Sequence, residues 1–306
     1  MSFMRLTAPE LPTELNIAFP FPRYLVDLDD HRMHVADTGP ASEPGPTIVL
    51  FHGNPTWSFL WRKVIRRLTN HRVIAPDLIG CGLSDKPRNV SWHTPERHLH
   101  ALVSLVDALE LDRVVVVGQD WGGPIGMGVA AHLQSEGRLH GVVIGNTGVL
   151  SPRRPIRTTS FHRFSNLPGI SDLAFRGLGF PLPILGRAQG DPASIGLLER
   201  RAYWFPFRKI ADRAALLGLP RMVPSHDAHP SLPYLDRIGS WVQSYDGPAA
   251  IVWGHRDPIL GRGFARHAKT WPHAEVTETQ AGHFLQEEVP TEFANAVLSI
   301  AASGGG

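Results

Sequence analysis

Short uninterrupted apolar runs alternate with stretches of helical periodicity along this chain. Residues 47–51 (TIVLF) form a β-branched apolar run that stops at His52-Gly53-Asn54-Pro55. The pattern then predicts a helix over 56–68, and a strand over 72–75 that closes on Pro76 and Asp77. A helix follows over 94–109, with Leu99, Leu102, Leu105, Val106 and Leu109 at helical spacing. A strand over 114–117, a helix over 122–134 and a strand over 141–144 complete this half. Strands that are apolar throughout, rather than at alternate positions, belong to a parallel sheet covered by helices on both faces.

The rhythm breaks after residue 147. Residues 148–237 are rich in Arg, Pro and Phe and contain only helical fragments. It resumes with strands over 249–253 and 274–277 and a final helix over 291–301. The expected fold is therefore α/β. Residues 1–147 and 238–303 form one core domain around a mostly parallel sheet, and 148–237 form an inserted helical cap. The cap changes the charge picture. The whole chain of 306 residues is nearly balanced at +2, which excludes a strongly polybasic nucleic-acid binder. Between Ser151 and Arg213, however, ten Arg and one Lys face four acids, leaving about −5 elsewhere. A solvated face is the ordinary reading of such charge. A surface for an acidic partner and a subunit contact in a homo-oligomer stay open.

Other features narrow the class by exclusion. The single cysteine, Cys81 in the Gly80/Gly82 turn, rules out an internal disulfide framework and a cysteine-rich zinc site. No His pair at His-x3-His or His-Glu-x-x-His spacing occurs among the 16 histidines, so neither metal nor cofactor is expected. No leader-like run stands in residues 1–16, and no apolar run approaches the ~20 residues of a membrane span. A soluble cytoplasmic protein is the expectation, with Gly304, Gly305 and Gly306 as a frayed tail.

Four strand ends carry polar residues, and ligands of open parallel sheets bind there. They are His52-Gly53-Asn54-Pro55, Gly118-Gln119-Asp120-Trp121-Gly122, Gly254-His255-Arg256-Asp257 and Ala281-Gly282-His283-Phe284. The second has the Gly-x-nucleophile-x-Gly form of a strand-to-helix elbow, with Asp at its centre. Each feature alone reads as a turn, a helix cap or a packing residue. Together they give the order nucleophile, acid, histidine: Asp120, Asp257, His283. A carboxylate is ionised near neutrality and needs no base to attack. It can displace a leaving group from an sp3 carbon and become an alkyl ester. His283 is then the base that activates water against that ester, and Asp257 orients it. The backbone N–H groups of Asn54 and Trp121 are candidates for the oxyanion hole. The Trp121 indole N–H and the Asn54 amide are candidate donors to a departing halide.

Three motifs carry a resemblance: His52-Gly53-Asn54-Pro55-Thr56-Trp57-Ser58, the segment from Asp77 to Pro87, and Gly118-Gln119-Asp120-Trp121-Gly122-Gly123. From about residue 24 to 298 the chain resembles the haloalkane dehalogenases of the α/β-hydrolase superfamily. The resemblance implies an α/β-hydrolase fold. It also implies hydrolysis of a small halogenated hydrocarbon by water to a primary or secondary alcohol and a halide ion, through an ester on Asp120. In that family the acid stands after either of two strands. Asn146 occupies the first place, so the resemblance implies the branch with an Asp-His-Asp triad and an Asn-Trp halide pair. The cap's one tryptophan, Trp204, has no assigned place. Phe161, Phe164, Phe175, Leu178, Phe180, Trp204 and Phe207 should include the pocket lining. Epoxide hydrolase is the rival, sharing the Asp nucleophile but needing two cap tyrosine hydroxyls. Tyr203 and Tyr234 keep it open. Fluoroacetate dehalogenase fits less well, because Trp121 and Gly122 stand where it carries arginines beside the nucleophile. A non-enzymatic receptor of this fold is the alternative from another class, and the intact triad argues against it.

Overall fold

The computed structural model describes residues 4–28 and 30–303. The glycine tail expected at 304–306 and the first three residues of the segment searched for a leader lie outside the described residues. The strands are β1 (Arg5–Thr7), β2 (Arg23–Leu28), β3 (His31–Asp37), β4 (Thr47–Phe51), β5 (Val73–Pro76), β6 (Val114–Gln119), β7 (Leu139–Gly145), β8 (Ala249–Gly254) and β9 (Glu275–Thr279). They form one nine-stranded sheet in the order β1-β2-β3-β5-β4-β6-β7-β8-β9. Pairings from β5 through β9 are parallel. The first three strands join antiparallel at one edge.

The central strands β4, β6, β7 and β8 are buried over most of their length, as their unbroken apolar runs require. Helices Pro95–Ala108 and Gly122–Ser135 lie between β5 and β7, and Pro290–Ala302 packs against β7 and β8. Thr94 caps the first of these by accepting from the Arg97 N–H, with Pro95 at the first helical position. The antiparallel edge is absent from the sequence reading. Its strands carry Arg23, Asp27, Arg32 and His34 among the apolar residues, so they lack continuous runs. The helix expected over 56–68 is shorter: a 3₁₀ turn Ser58–Trp61 leads into Arg62–Ile65. Phe59, Leu60 and Trp61 are buried in succession, which leaves no solvent face for a long amphipathic helix.

The strand order reverses between β4 and β6, each with an α/β connection running away to opposite sides. This is where a crevice opens in a doubly wound sheet. Register pairs Phe51 with Gly118, which brings the loops after β4 and β6 side by side. Gln119 pairs with Gly145, and Gly254 with Thr279, so the ends of β7, β8 and β9 follow in series. No strand lies between β7 and β8 among the described residues. That stretch carries helices Ser160–Ser165, Leu197–Trp204 and Ala214–Arg221, a π-helical turn Asp172–Gly177 and several 3₁₀ turns. One further helix, Leu232–Ser244, runs through the junction expected at 237/238 and packs on Gly122–Ser135.

Candidate active site

Strand β6 delivers Asp120 on a sharp bend. Its φ of 51° lies in the left-handed region, where an L side chain is strained. Small neighbours permit the bend: a Cβ on Gly122 would strike the Phe51 carbonyl, and one on Gly123 the Thr147 hydroxyl. The Thr147 hydroxyl donates to the Asp120 carbonyl at 2.6 Å, and the Asp120 N–H donates to the Asn146 carbonyl at 3.2 Å. Helix Gly122–Ser135 starts just behind, so the carboxylate sits at a helix N-terminus, which favours negative charge. Its Oδ1 accepts the Asn54 backbone N–H at 2.8 Å. A Cβ on Gly53 would fall on that same oxygen. The other oxygen, Oδ2, lies 3.5 Å from His283 Nε2.

His283 follows β9 and turns its opposite nitrogen to Asp257, with Nδ1 donating to Oδ2 at 2.9 Å. The second Asp257 oxygen accepts the N–H groups of Ile259 and Leu260 at 2.7 and 3.1 Å. Asn146 donates from Nδ2 to Asp257 Oδ2 at 2.8 Å and also ties to Gly254, whose N–H it accepts at 2.7 Å. The alternative acid position and Asp257 thus meet at one carboxylate oxygen. Gln119 Nε2 donates to the His283 carbonyl at 3.0 Å, and the His283 N–H donates to Ala188 in the helical insertion at 2.8 Å. Burial opposes a charged His283, but Asp257 and Asp120 outweigh it and raise its pKa to about 10. Burial alone would raise Asp257; His283 and the donors from Ile259 and Asn146 hold it below the ordinary carboxylate range instead.

Asp120 and His283 open onto a cavity of about 1000 Å³, whose wall also includes Asn54 and Trp121. Neither the Trp121 indole nor the Asn54 NH2 makes a hydrogen bond among the described residues, and the Asn54 side-chain oxygen is buried without a partner. The structure therefore brings together all five residues expected from the sequence.

The alpha/beta hydrolase family matches residues 48–296. A haloalkane dehalogenase of Mycolicibacterium paratuberculosis is 33% identical over 92% of this chain and 93% of its own length. One of Mycobacterium marinum is 35% identical over 92% and 95%. The chain belongs to the haloalkane dehalogenase family. Solved structures agree: the tetrameric haloalkane dehalogenase DpaA of Paraglaciecola agarilytica NO2 superposes with a TM-score of 0.78 at 28% identity, covering 97% of this chain and 98% of that one. DatA of Agrobacterium tumefaciens C58 gives a TM-score of 0.79 at 27% identity, covering 92% and 97%.

The aromatic residues divide into those that line the cavity and those that do not. All four tyrosine hydroxyls already have acceptors: Tyr24 with Asp37, Tyr203 with Glu287, Tyr234 with the Pro124 carbonyl and Tyr245 with the Pro248 carbonyl. None lines the cavity. Trp204 is likewise outside it, stacked against the Arg213 guanidinium. Of the cap side chains expected in the lining, Phe161 and Phe180 are there, whereas Phe164, Phe175, Leu178 and Phe207 are not. His162 lines the cavity without having been anticipated; burial lowers its pKa, against the pull of Asp120. It sits in no motif, and only the folded insertion brings it there. Cys81 is fully buried, and that burial pushes its thiol up to about 12, so it is a packing residue. The surface cluster Asp107, His132 and Glu136 already holds a cation, the Arg138 guanidinium, at 2.7 Å from Asp107.

Proposed function

We propose that Asp120 is the nucleophile of a hydrolytic dehalogenation, with His283 the base, Asp257 its partner, and Asn54 and Trp121 the halide donors. The observation that carries this reading is the inequivalence of the two Asp120 oxygens. Oδ1 is held by a backbone N–H, while Oδ2, 3.5 Å from His283 Nε2, accepts none and is the oxygen left to attack. Attack by Oδ2 on the carbon forms a C–O bond, and the carbon–halogen pair of electrons leaves with the halide. N–H donors at Trp121 and Asn54 favour that developing anion. Forming the ester removes the Asp120 charge, one of the two that hold a proton on His283, so the imidazole is released to act as base. Its Nε2 takes a proton from water as the hydroxide oxygen adds to the ester carbonyl carbon. The resulting oxyanion on Oδ1 meets the Asn54 N–H already in place. Collapse expels the alcohol and restores the carboxylate. Overall, an alkyl halide and water give alcohol, halide and a proton.

The engaged tyrosines favour this reading over epoxide opening, which needs acidic hydroxyls at the substrate. We place the insertion as a cap over this site, and propose that substrate, water and halide are the only partners of the reaction. No helix among the described residues is long and apolar enough to cross a membrane, which fits the expected cytoplasmic location. The tetramer of the relative DpaA makes a homo-oligomer the state to test by light scattering.

The deciding experiment is a single turnover of 1-bromobutane in heavy-oxygen water. The heavy atom should enter Asp120 and not the alcohol. His283→Gln should release a stoichiometric burst of bromide and then stall with the ester in place, since the first step needs no base. Diol formation from an epoxide without bromide release from the haloalkane would select the rival.

A further inference from the structure

The cavity has one acid in its wall, Asp120, and six arginines: Arg153, Arg154, Arg157, Arg187, Arg262 and Arg266. Arg154 is paired with Asp236. Arg266 donates only to the Ser151 carbonyl, at 2.7 Å. The other four make no ion pair and no side-chain hydrogen bond among the described residues. Four of the six are exposed and unpaired, so they mark the end of the cavity open to solvent. The wall also carries the apolar side chains Phe161, Phe180, Ile184, Leu185 and Leu235, beside Thr147, His162 and His267. The lining thus combines one reactive carboxylate, a largely apolar surface and exposed, unpaired cations. Arg153, Arg154, Arg157 and Arg187 come from the insertion, so part of the basic excess visible in the sequence faces the substrate route.

A neutral haloalkane makes no use of such a mouth, because it carries no charge for the arginines to attract. Crowding them is unfavourable without an anion: burial and the neighbouring Arg153 both push the Arg266 pKa down. We propose that the preferred substrates are ω-halogenated chains ending in an anionic group such as a carboxylate, with the halogen at Asp120 and the anion among the arginines. This rests on the dehalogenation reading and names the substrate class of the same site. Short haloacids are disfavoured, since their carboxylate would sit against Asp120. Several methylenes are needed to keep the anion clear of Asp120 and lay the chain on the apolar lining. Charge focused at a cleft of this kind raises local substrate concentration and on-rate by about tenfold or more at low salt.

The test compares 6-bromohexanoate with 1-bromohexane. At low ionic strength, kcat/KM for the acid should exceed that for the neutral chain by about tenfold or more. The ratio should fall towards one at an ionic strength of about 1 M, set with sodium sulfate, where the screening length is roughly 3 Å. It should also fall in Arg153→Gln/Arg262→Gln, two exposed side chains with no partner to lose. Calorimetric binding of hexanoate, which has no halogen, gives a readout independent of chemistry, and it should weaken in the same variant and exceed that of 1-hexanol. A wild-type ratio at or below one, a ratio insensitive to both salt and the variant, or equal binding of hexanoate and hexanol would overturn the proposal. If neither bromide is released while hexanoate binds as expected, the anion site stands and the dehalogenation reading falls.

Discussion

The floor and the roof of the cavity are held by different physics. On the floor, Asp120, Asp257, His283 and Asn146 are each fixed by two or more directed hydrogen bonds, from backbone and side-chain groups alike. The roof is fixed by aromatic packing: Phe161, Phe164, Phe175 and Phe180 meet at centroid distances of 5.1 to 6.0 Å. Hydrogen bonds fix atoms to fractions of an ångström and direction. Apolar contacts fix volume and tolerate exchange of similar shapes. Rate should therefore depend on the floor and selectivity on the roof.

The hardest test of that division is Asp257→Asn, which preserves shape and removes charge. Turnover should drop by about 10⁴, the scale of the corresponding change in a serine protease, while the first-turnover halide burst is much less affected. A near-wild-type rate would break the assignment. The same variant carries a pH signature. The proton on His283 stabilises the fold fully below its unfolded value of about 6.5, and that contribution is lost as pH rises through about 10. The variant's Tm deficit should accordingly narrow between neutral and alkaline pH.

Removing one halide donor, as Trp121→Phe or Asn54→Ala, should slow carbon–halogen cleavage by about 10²–10³ in pre-steady-state halide release. Unchanged cleavage in both would move the halide site elsewhere. On the roof, Phe180→Leu should alter kcat by less than about fivefold, since a volume change of that kind is mostly absorbed by repacking, yet shift KM differently for short and long bromoalkanes. A uniform loss across substrates would show that the roof positions the chemistry too.

The same contrast explains what was legible in the sequence. Floor residues sit at fixed offsets from apolar runs, so Asp120, Asp257, His283, Asn54 and Trp121 stand out as strand-end punctuation. Their convergence follows from the register of β4 against β6 and of β8 against β9. The antiparallel edge was hidden because charged residues interrupt its runs. The roof was legible only as composition. Phe161 reaches the cavity and Phe164, three residues on, does not, a difference set by how short helices and a π-helical turn rotate past one another. The clamp joining roof to floor was also invisible: Arg62 pairs with Glu287 at 2.6 Å and with Glu199 at 2.7 Å, and Tyr203 donates to Glu287. Its members lie up to 225 residues apart, and no local pattern links them.

The hydrogen bond from Asn54 N–H to a single Asp120 oxygen gives the enzyme an isotopic memory. On the proposed mechanism the attacking oxygen departs with each alcohol and is replaced from water. The held oxygen takes part in every cycle and leaves in none. As long as that bond keeps the carboxylate from turning over, an enzyme worked through many cycles in heavy-oxygen water still carries one oxygen from its own synthesis. Its active-site peptide gains one heavy atom and no second. The atom count of one side chain thus records whether a backbone N–H has ever let go.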